Sequence, residues 1–404
     1  MTNQTTHDYI ARHTDDDVRK LALSSGRETN VDITFALQQI AGRQRAKAKL
    51  PTWAATEGIT YPPQLSMEQC SSEQTARYKA QMAQRLMSDT SRLPSGPTRM
   101  ADLTGGFGVD FWQLSQVFDR ASYVEQDLQL CAISSENFRL LGLHNVETVC
   151  ADGAAFLQQT DVIFDLVYID PARRDSHGQR TYSILDCTPN VLSIRDLLHT
   201  KANMVMLKLS PMLDWRKAVG DVGHEWVKEV HIVSVANECK ELLLVMDKAV
   251  RKDDLRLVCV NDDQVFETTI SPQPSALRPP LSSLHSPYLY EPNASIMKAG
   301  CFSEVEQAFG VRQLAPNSHL FAATEYIADF PGRRFNVEAV TTMNKRELKP
   351  IIGNLKQANI TIRNFPMSVD ALRKRLKLGE GGNTYIFATT TAKNEHVLMF
   401  CKKD

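Results

Sequence analysis

The 404-residue sequence predicts an α/β protein: a helical N-terminal segment, a doubly wound core of seven strands, and a smaller α+β end. Three observations predict it. Between about Arg99 and Lys248, short apolar runs alternate with amphipathic segments, the pattern of βαβ units. Within that stretch, "MADLTGGFGVDFWQL" from Met100 reads as strand, tight glycine turn and helix. From Pro331 the charge changes sign: 14 Lys and Arg stand against 6 Asp and Glu, a net of +8, which leaves −9 on the rest of a chain whose net charge is −1.

Composition excludes several classes. Hydrophobic residues at 43% and charged residues at 23% are ordinary for a water-soluble globular chain. No apolar run approaches a membrane span, and the opening "MTNQTTHDYI" lacks the apolar centre of a signal peptide. The eight cysteines form no C-x-x-C pair and read as reduced packing residues. "HEWVK" at His224 fails as a zinc motif because its fifth residue is Lys228. The expectation is a cytoplasmic protein with neither membrane nor metal.

The elements follow in order. Residues 1–90 form the helical segment. In "ITFALQQIAGRQRAKAKL", Phe35, Leu37, Ile40 and Ala41 supply the apolar positions, and "SSEQTARYKAQMAQRLM" opens with a capping box from Ser71 to Gln74. Residues 91–250 form the core. Its strands are "MADLT", "ASYVEQD", "VETVCAD", "DLVYIDP" and "NMVMLKLSP", then a hairpin of "EVHIVSVAN" and "ELLLVMD", which puts an antiparallel strand at the edge. Residues 251–330 form a connecting, ferredoxin-like segment, in which the proline- and serine-rich "SPQPSALRPPLSSLHSP" reads as a connection and "PNASIMKAGCFSEVEQAFGV" as helical. Residues 331–404 read β-α-β-α-β-β from Phe335, a small ferredoxin-like sandwich.

The glycine turn is not a dinucleotide fingerprint. Gly106 and Gly108 are in place, but Phe111 stands where the third glycine allows close helix–strand packing. No Gly-Lys-Ser/Thr follows, so it is not a phosphate-binding P-loop either. The remaining pattern, Asp102, Thr104, Gly105, Gly106, Phe107, Gly108 and Asp110, suits a cofactor with a charged amino-acid tail and no pyrophosphate, which S-adenosylmethionine (SAM) is. Further polar groups fall at the ends of the next strands, where ligands of open α/β sheets bind. Glu125, with Gln126 beside it, is placed for ribose hydroxyls. Asp152 and Gly153 are placed for adenine, although an acid there also serves as a helix cap. Asp170 and Pro171 end the fourth strand, next to both cofactor and acceptor.

The glycine turn and "DPARRD" resemble class I SAM-dependent methyltransferases, specifically the bacterial group with a THUMP-like C-terminal domain. "AGRQRAKAKLPTWA", "MEQCSSEQTARYKA" and "SPYLYEPNASIMKAG" are similar to the same group. The resemblance implies a Rossmann-like seven-stranded methyltransferase core, a ferredoxin-like segment, and a terminal THUMP-like domain related to RNA-binding modules. It departs from the general motif at Thr104, which replaces the first glycine.

For the acceptor, Asp170 and the proline-fixed carbonyl could take hydrogen bonds from an exocyclic amine, while Arg173 could stack on a base, hold a phosphate, or simply pair with Asp175. Lys208 and Asp214 flank the fifth-strand end as second-rank candidates. Carbon-5 pyrimidine chemistry is disfavoured because no Pro-Cys occurs. In "LRKRLKL", Arg373, Lys374 and Lys377 cluster on one helix, either an RNA-binding face or a solvated one. The expected activity is SAM-dependent methylation of tRNA or rRNA. The alternatives are a methyltransferase for protein or small molecule, and a SAM- and RNA-binding protein without turnover.

Overall fold

The computed structural model describes residues 3–24, 30–88, 96–173, 184–248, 255–271 and 286–404, with only the backbone of Ser24, Arg173 and Asp186. The chain divides into two units, Met1–Lys228 with Leu244–Val250, and Glu229–Leu243 with Arg251–Asp404.

The first unit begins with helices α1 (Gln4–Arg12), α2 (Val18–Ser24), α3 (Ile33–Lys49), α4 (Pro51–Ala55), α5 (Gln64–Gln69) and α6 (Glu73–Met87). Asp32 starts α3 by accepting from the Phe35 amide at 3.0 Å. The buried stripe of α3 runs through Ala36, Ile40, Gly42 and Ala46, so Phe35 and Leu37 lie beside it and not at its centre. The cap of α6 corrects the sequence reading by one residue: Ser72 accepts from the Thr75 amide. Ser71, thereby released, points into the core.

Strands and helices then alternate: β1 (Arg99–Asp102), α7 (Val109–Ser115), β2 (Arg120–Glu125), α8 (Leu128–Leu140), β3 (Val146–Cys150), α9 (Gly153–Gln159) and β4 (Phe164–Ile169). A short pair β5 (Ala172–Arg173) and β6 (Cys187–Thr188) precedes α10 (Arg195–Lys201), β7 (Ala202–Leu209) and α11 (Trp215–Val222). The order β7–β4–β1–β2–β3 is parallel throughout. All six residues of β4 are buried, as a strand covered by helices on both faces requires. The chain builds outward from β1 to β3, then returns to lay β4 on the other side of β1. That reversal opens a crevice at the carboxyl ends of β1 and β4.

β8 (Val227–Val235) turns at Ala236–Asn237, both at positive φ, into β9 (Glu238–Asp247), whose last residues lie beside β7 in the first unit. These complete the seven predicted core strands. The antiparallel strand, however, is not at the edge, because β9 lies between β7 and β8. In the second unit β10 (Leu255–Asn261), parallel to β8, and β11 (Gln264–Ile270) extend the order to β11–β10–β8–β9. The sequence reading had treated these residues as part of a connection. In "RLVCVND" only the four consecutive residues from Leu257 to Val260 are buried, a short apolar run without alternation and a weak signal beside the proline-rich stretch that follows.

The second unit continues with β12 (Tyr288–Pro292), α12 (Ala294–Ala299), α13 (Phe302–Phe309), β13 (Arg312–Gln313) and β14 (Phe321–Ala323). It ends with β15 (Gly332–Thr342), α14 (Lys345–Ile352), β16 (Asn359–Arg363), α15 (Val369–Leu376), β17 (Thr384–Thr390) and β18 (His396–Lys403), the expected β-α-β-α-β-β order. These seven strands form one sheet, β13–β14–β12–β15–β18–β17–β16. Leu348 of α14 and Leu372 and Leu376 of α15 cover it, packed with Ile386, Leu398 and Phe400.

One cysteine expectation is overturned. Cys131 on α8 and Cys150 ending β3 are joined as a disulfide, because the βαβ crossover brings their Cα atoms to 6.1 Å. Among the described residues, no helix is long and apolar enough to cross a membrane, and no three His, Cys, Asp or Glu are grouped to hold a metal.

Candidate active site

The site occupies the crevice between β1 and β4. Asp102, the last residue of β1, is buried and accepts from the Thr104 amide at 2.9 Å. Burial pushes its carboxyl well above the usual range, and the nearby Asp110 and Asp170 push the same way. The Thr104 hydroxyl accepts from the Asp170 amide at 2.7 Å and lies 3.3 Å from Asp102 Oδ1. The residue that departs from the general glycine motif thus ties the turn to the end of β4.

Two glycines are required by what packs against them. A Cβ at Gly105 would lie 2.3 Å from the Tyr123 ring. Gly108 sits at φ +84°, where a Cβ would also strike Phe138 at 2.4 Å. Phe111, in the place of a third glycine, packs edge-on to Tyr123 and tilted against Phe138. A large aromatic layer therefore separates α7 from the sheet where a dinucleotide fold brings helix and strand together.

Glu125, half-buried at the end of β2, accepts from the Gly106 amide at 2.8 Å and the Asp127 amide at 2.9 Å. Its carboxylate braces the turn and retains further lone-pair directions for ribose hydroxyls. Gln126 is exposed beside it. Asp152 caps α9 through the Ala155 amide at 2.9 Å, so the capping reading holds for Oδ1, and Gly153 is buried below it. Phe107 puts its ring on Trp53 at 4.6 Å and Tyr61 at 6.4 Å, buried at 3% exposure; what it offers a cofactor is backbone. The turn and the ends of β2 and β3 carry Asp102, Glu125, Asp127 and Asp152 with no lysine or arginine, while Asp110 turns inward to Lys79 and Lys208. Such a cradle suits a cationic cofactor and repels a pyrophosphate.

On the acceptor side, Asp170 is 37% exposed at its side chain and receives the Lys208 ammonium at 2.6 Å, with the buried Pro171 next in the chain. Lys208 also donates to the Ser71 hydroxyl at 3.1 Å and lies 3.5 Å from Asp110 Oδ2. Asp110 accepts from the Ser71 and Tyr168 hydroxyls, each at 2.7 Å, and meets Lys79 at 3.0 Å. Burial alone would raise the Asp110 carboxyl, but Lys79 and Lys208 outweigh it and hold the group well below the usual range. Asp214 caps α11 through the Lys217 amide at 3.0 Å, a structural use. The side chain of Arg173 and all of Arg174 and Asp175 lie outside the described residues.

Ser71, Lys79, Asp110 and Tyr168 were missed as a group. A lysine in the middle of a helix otherwise rich in alanine, at a position with apolar spacing, was the available signal. Lys79 follows Ala76 and precedes Ala80 and Ala83 on the buried side of α6.

In the basic end, Lys374 and Lys377 are exposed on and just after α15, as the sequence suggested. Arg373 is half-buried and donates to the carbonyls of Ala358 at 3.0 Å and Gly379 at 2.9 Å. Its guanidinium holds the fold together at that point.

Two domain families match the C-terminal part: a ferredoxin-like domain over residues 288–331 and a THUMP domain-like family over residues 332–403. Among solved structures, a presumed methyltransferase from Porphyromonas gingivalis W83 is 29% identical. The match covers 99% of this chain and 97% of that one, at a TM-score of 0.84. A SAM-dependent methyltransferase from Agrobacterium tumefaciens is 16% identical over 44% of this chain and 63% of that one, at 0.33. TrmK of M. capricolum, solved with S-adenosylhomocysteine, is 15% identical over 44% and 70%, at 0.32. No curated protein sequence matches. The chain thus has the architecture of a methyltransferase fold joined to ferredoxin-like and THUMP-like domains, and shares it end to end with the P. gingivalis protein.

Proposed function

We propose that this protein is a cytoplasmic SAM-dependent methyltransferase that modifies structured RNA, tRNA or rRNA, at an exocyclic amine of a base. The observation that carries the cofactor is the set of carboxyls at the glycine turn and the ends of β2 and β3, Asp102, Glu125, Asp127 and Asp152, which a sulfonium and an ammonium both favour. The whole-length likeness to the P. gingivalis protein supports the reaction class, and the THUMP-like match with its basic helix supports RNA.

Bound SAM would supply an already activated methyl group, so the protein's task is alignment, which can contribute about 7–11 kcal/mol to a bimolecular transfer. Glu125, Gly106 and Asp152 hold the cofactor's ribose and adenine. Asp102 would accept from the cationic amino-acid tail. Asp170 accepts an N–H of the acceptor amine, turns its lone pair toward the methyl, and takes up the proton as positive charge develops on nitrogen. Pro171 fixes the carbonyl that accepts the second N–H, and Arg173 receives the flanking base or phosphate. No cysteine follows Asp170-Pro171, in keeping with an amine and not pyrimidine carbon-5.

The test is transfer from labelled SAM to tRNA and rRNA, read by mass spectrometry of digested nucleosides. N-methylated bases from wild type, with about a 100-fold or greater loss in Asp170→Ala at unchanged SAM affinity, support the reading. Label found only in protein or small molecules, or no transfer at all, overturns it.

A further inference from the structure

Resting on the acceptor-side role of Asp170 just proposed, we infer that Lys79, carried by the N-terminal helical segment, is a positioning residue that sets the Asp170 carboxylate through Asp110 and Lys208. The helical segment would then be a working wall of the site as well as a cover over the core.

The geometry is a chain of alternating charges within one unit. Lys79 Nζ is 3.0 Å from Asp110 Oδ1, Asp110 Oδ2 is 3.5 Å from Lys208 Nζ, and Lys208 Nζ is 2.6 Å from Asp170 Oδ2. Lys79 has no exposed side-chain surface, Asp110 and Lys208 about a tenth, and Asp170 over a third. The chain therefore runs from the interior to the crevice. Ser71 binds it at three points, donating to Asp110 and accepting from Lys208 at 3.1 Å and Lys79 at 3.3 Å. In so dry a place a carboxylate must be neutralised by whatever cation can reach it. With Lys79 present, Asp110 has its own ammonium, and Lys208 stays at the short distance from Asp170. Without the Lys79 charge, Asp110 has only Lys208 to draw on and pulls it inward. Asp170 then loses the donor that fixes its orientation.

This mechanism makes a distinctive double-mutant prediction. Lys79→Met should lower kcat about 10- to 100-fold, the scale of a misplacement near 1 Å, with KM for SAM unchanged. Lys79→Met combined with Asp110→Asn removes both inner charges and with them the inward pull on Lys208, so kcat should recover to within about 3-fold of wild type. A lysine that only fills space would make the double variant no better than the single one. A second reading needs no turnover: crystal structures should show the Lys208–Asp170 contact opened in Lys79→Met and closed again in the double variant. If Lys79→Met fails to fold, Lys79→Gln, which keeps a donor without the charge, is read in the same way. An unaltered kcat, no recovery in the double variant, or an unaltered Lys208–Asp170 contact overturns the inference. Wild-type protein that transfers no methyl group overturns the proposed reaction instead, and the crystallographic comparison still decides the positioning role.

Discussion

Asp110→Asn changes one oxygen to an amide nitrogen and removes one charge from between two ammonium groups. The remaining side-chain oxygen can still accept from the Ser71 and Tyr168 hydroxyls, so the shape and both of these hydrogen bonds survive. Lys208 keeps Asp170. Lys79, fully buried, loses its carboxylate. Removing one partner of a buried ion pair costs about 3–5 kcal/mol. Asp102→Asn is the control. Its carboxyl is pushed up by burial, so losing the charge costs little, and an amide oxygen can still accept from the Thr104 amide; the cost should stay below about 1 kcal/mol. All four tryptophans (Trp53, Trp112, Trp215 and Trp226) lie in the first unit, and their fluorescence during urea unfolding reports that unit. The pH dependence has opposite signs for the two acids. Asp110, depressed in the folded state, stabilises above the ordinary value of about 3.9, and that contribution fades as pH falls below it. Asp102, raised in the folded state, contributes fully below about 3.9 and loses its contribution as pH rises through its elevated value. The gap between wild type and Asp110→Asn should therefore narrow in acid, while Asp102→Asn flattens the decline toward neutral pH. Equal unfolding midpoints for Asp110→Asn and wild type at neutral pH would refute the charge argument.

Two further outcomes are expected. Glu125→Ala removes both the ribose acceptor and the brace on the Gly106 amide, and calorimetry should show SAM binding weakened about 100-fold or more, as two charge-assisted hydrogen bonds warrant; unchanged affinity would remove Glu125 from the cofactor site. Lys374→Glu with Lys377→Glu should weaken RNA binding and make the log–log salt slope shallower by about 1.4–1.8, and superimposable salt curves would return those residues to a solvated face. Arg373 is left intact in that variant because it holds two backbone carbonyls.

Periodicity and turn chemistry made the parallel core legible, because each βαβ unit writes an apolar run, a turn and an amphipathic helix into consecutive residues. The same local logic exposed Asp102, Glu125 and Asp152, which all sit at strand ends. What escaped was non-local. The cap of α6 falls on Ser72 because Ser71 is claimed by Asp110, 39 residues away. Lys79 looks like a surface lysine until Asp110 and Lys208 are brought to it from other elements. Arg373 reads as one more positive charge until the carbonyls of Ala358 and Gly379 surround it. The placement of β9 between β7 and β8 is likewise a non-local pairing that the pattern within the hairpin does not specify.

The hydroxyl of Thr104 serves two parts of the molecule at once, lying against Asp102 within the turn and receiving the Asp170 amide from the next strand. The cofactor cradle and the acceptor pocket therefore share a single hinge pin. On the proposed reading, a ligand that settles the turn would also settle the backbone of Asp170 through the Thr104 hydroxyl. Such a linkage favours a fixed sequence of arrival, in which the methyl donor enters first and the acceptor meets a pocket already drawn to shape.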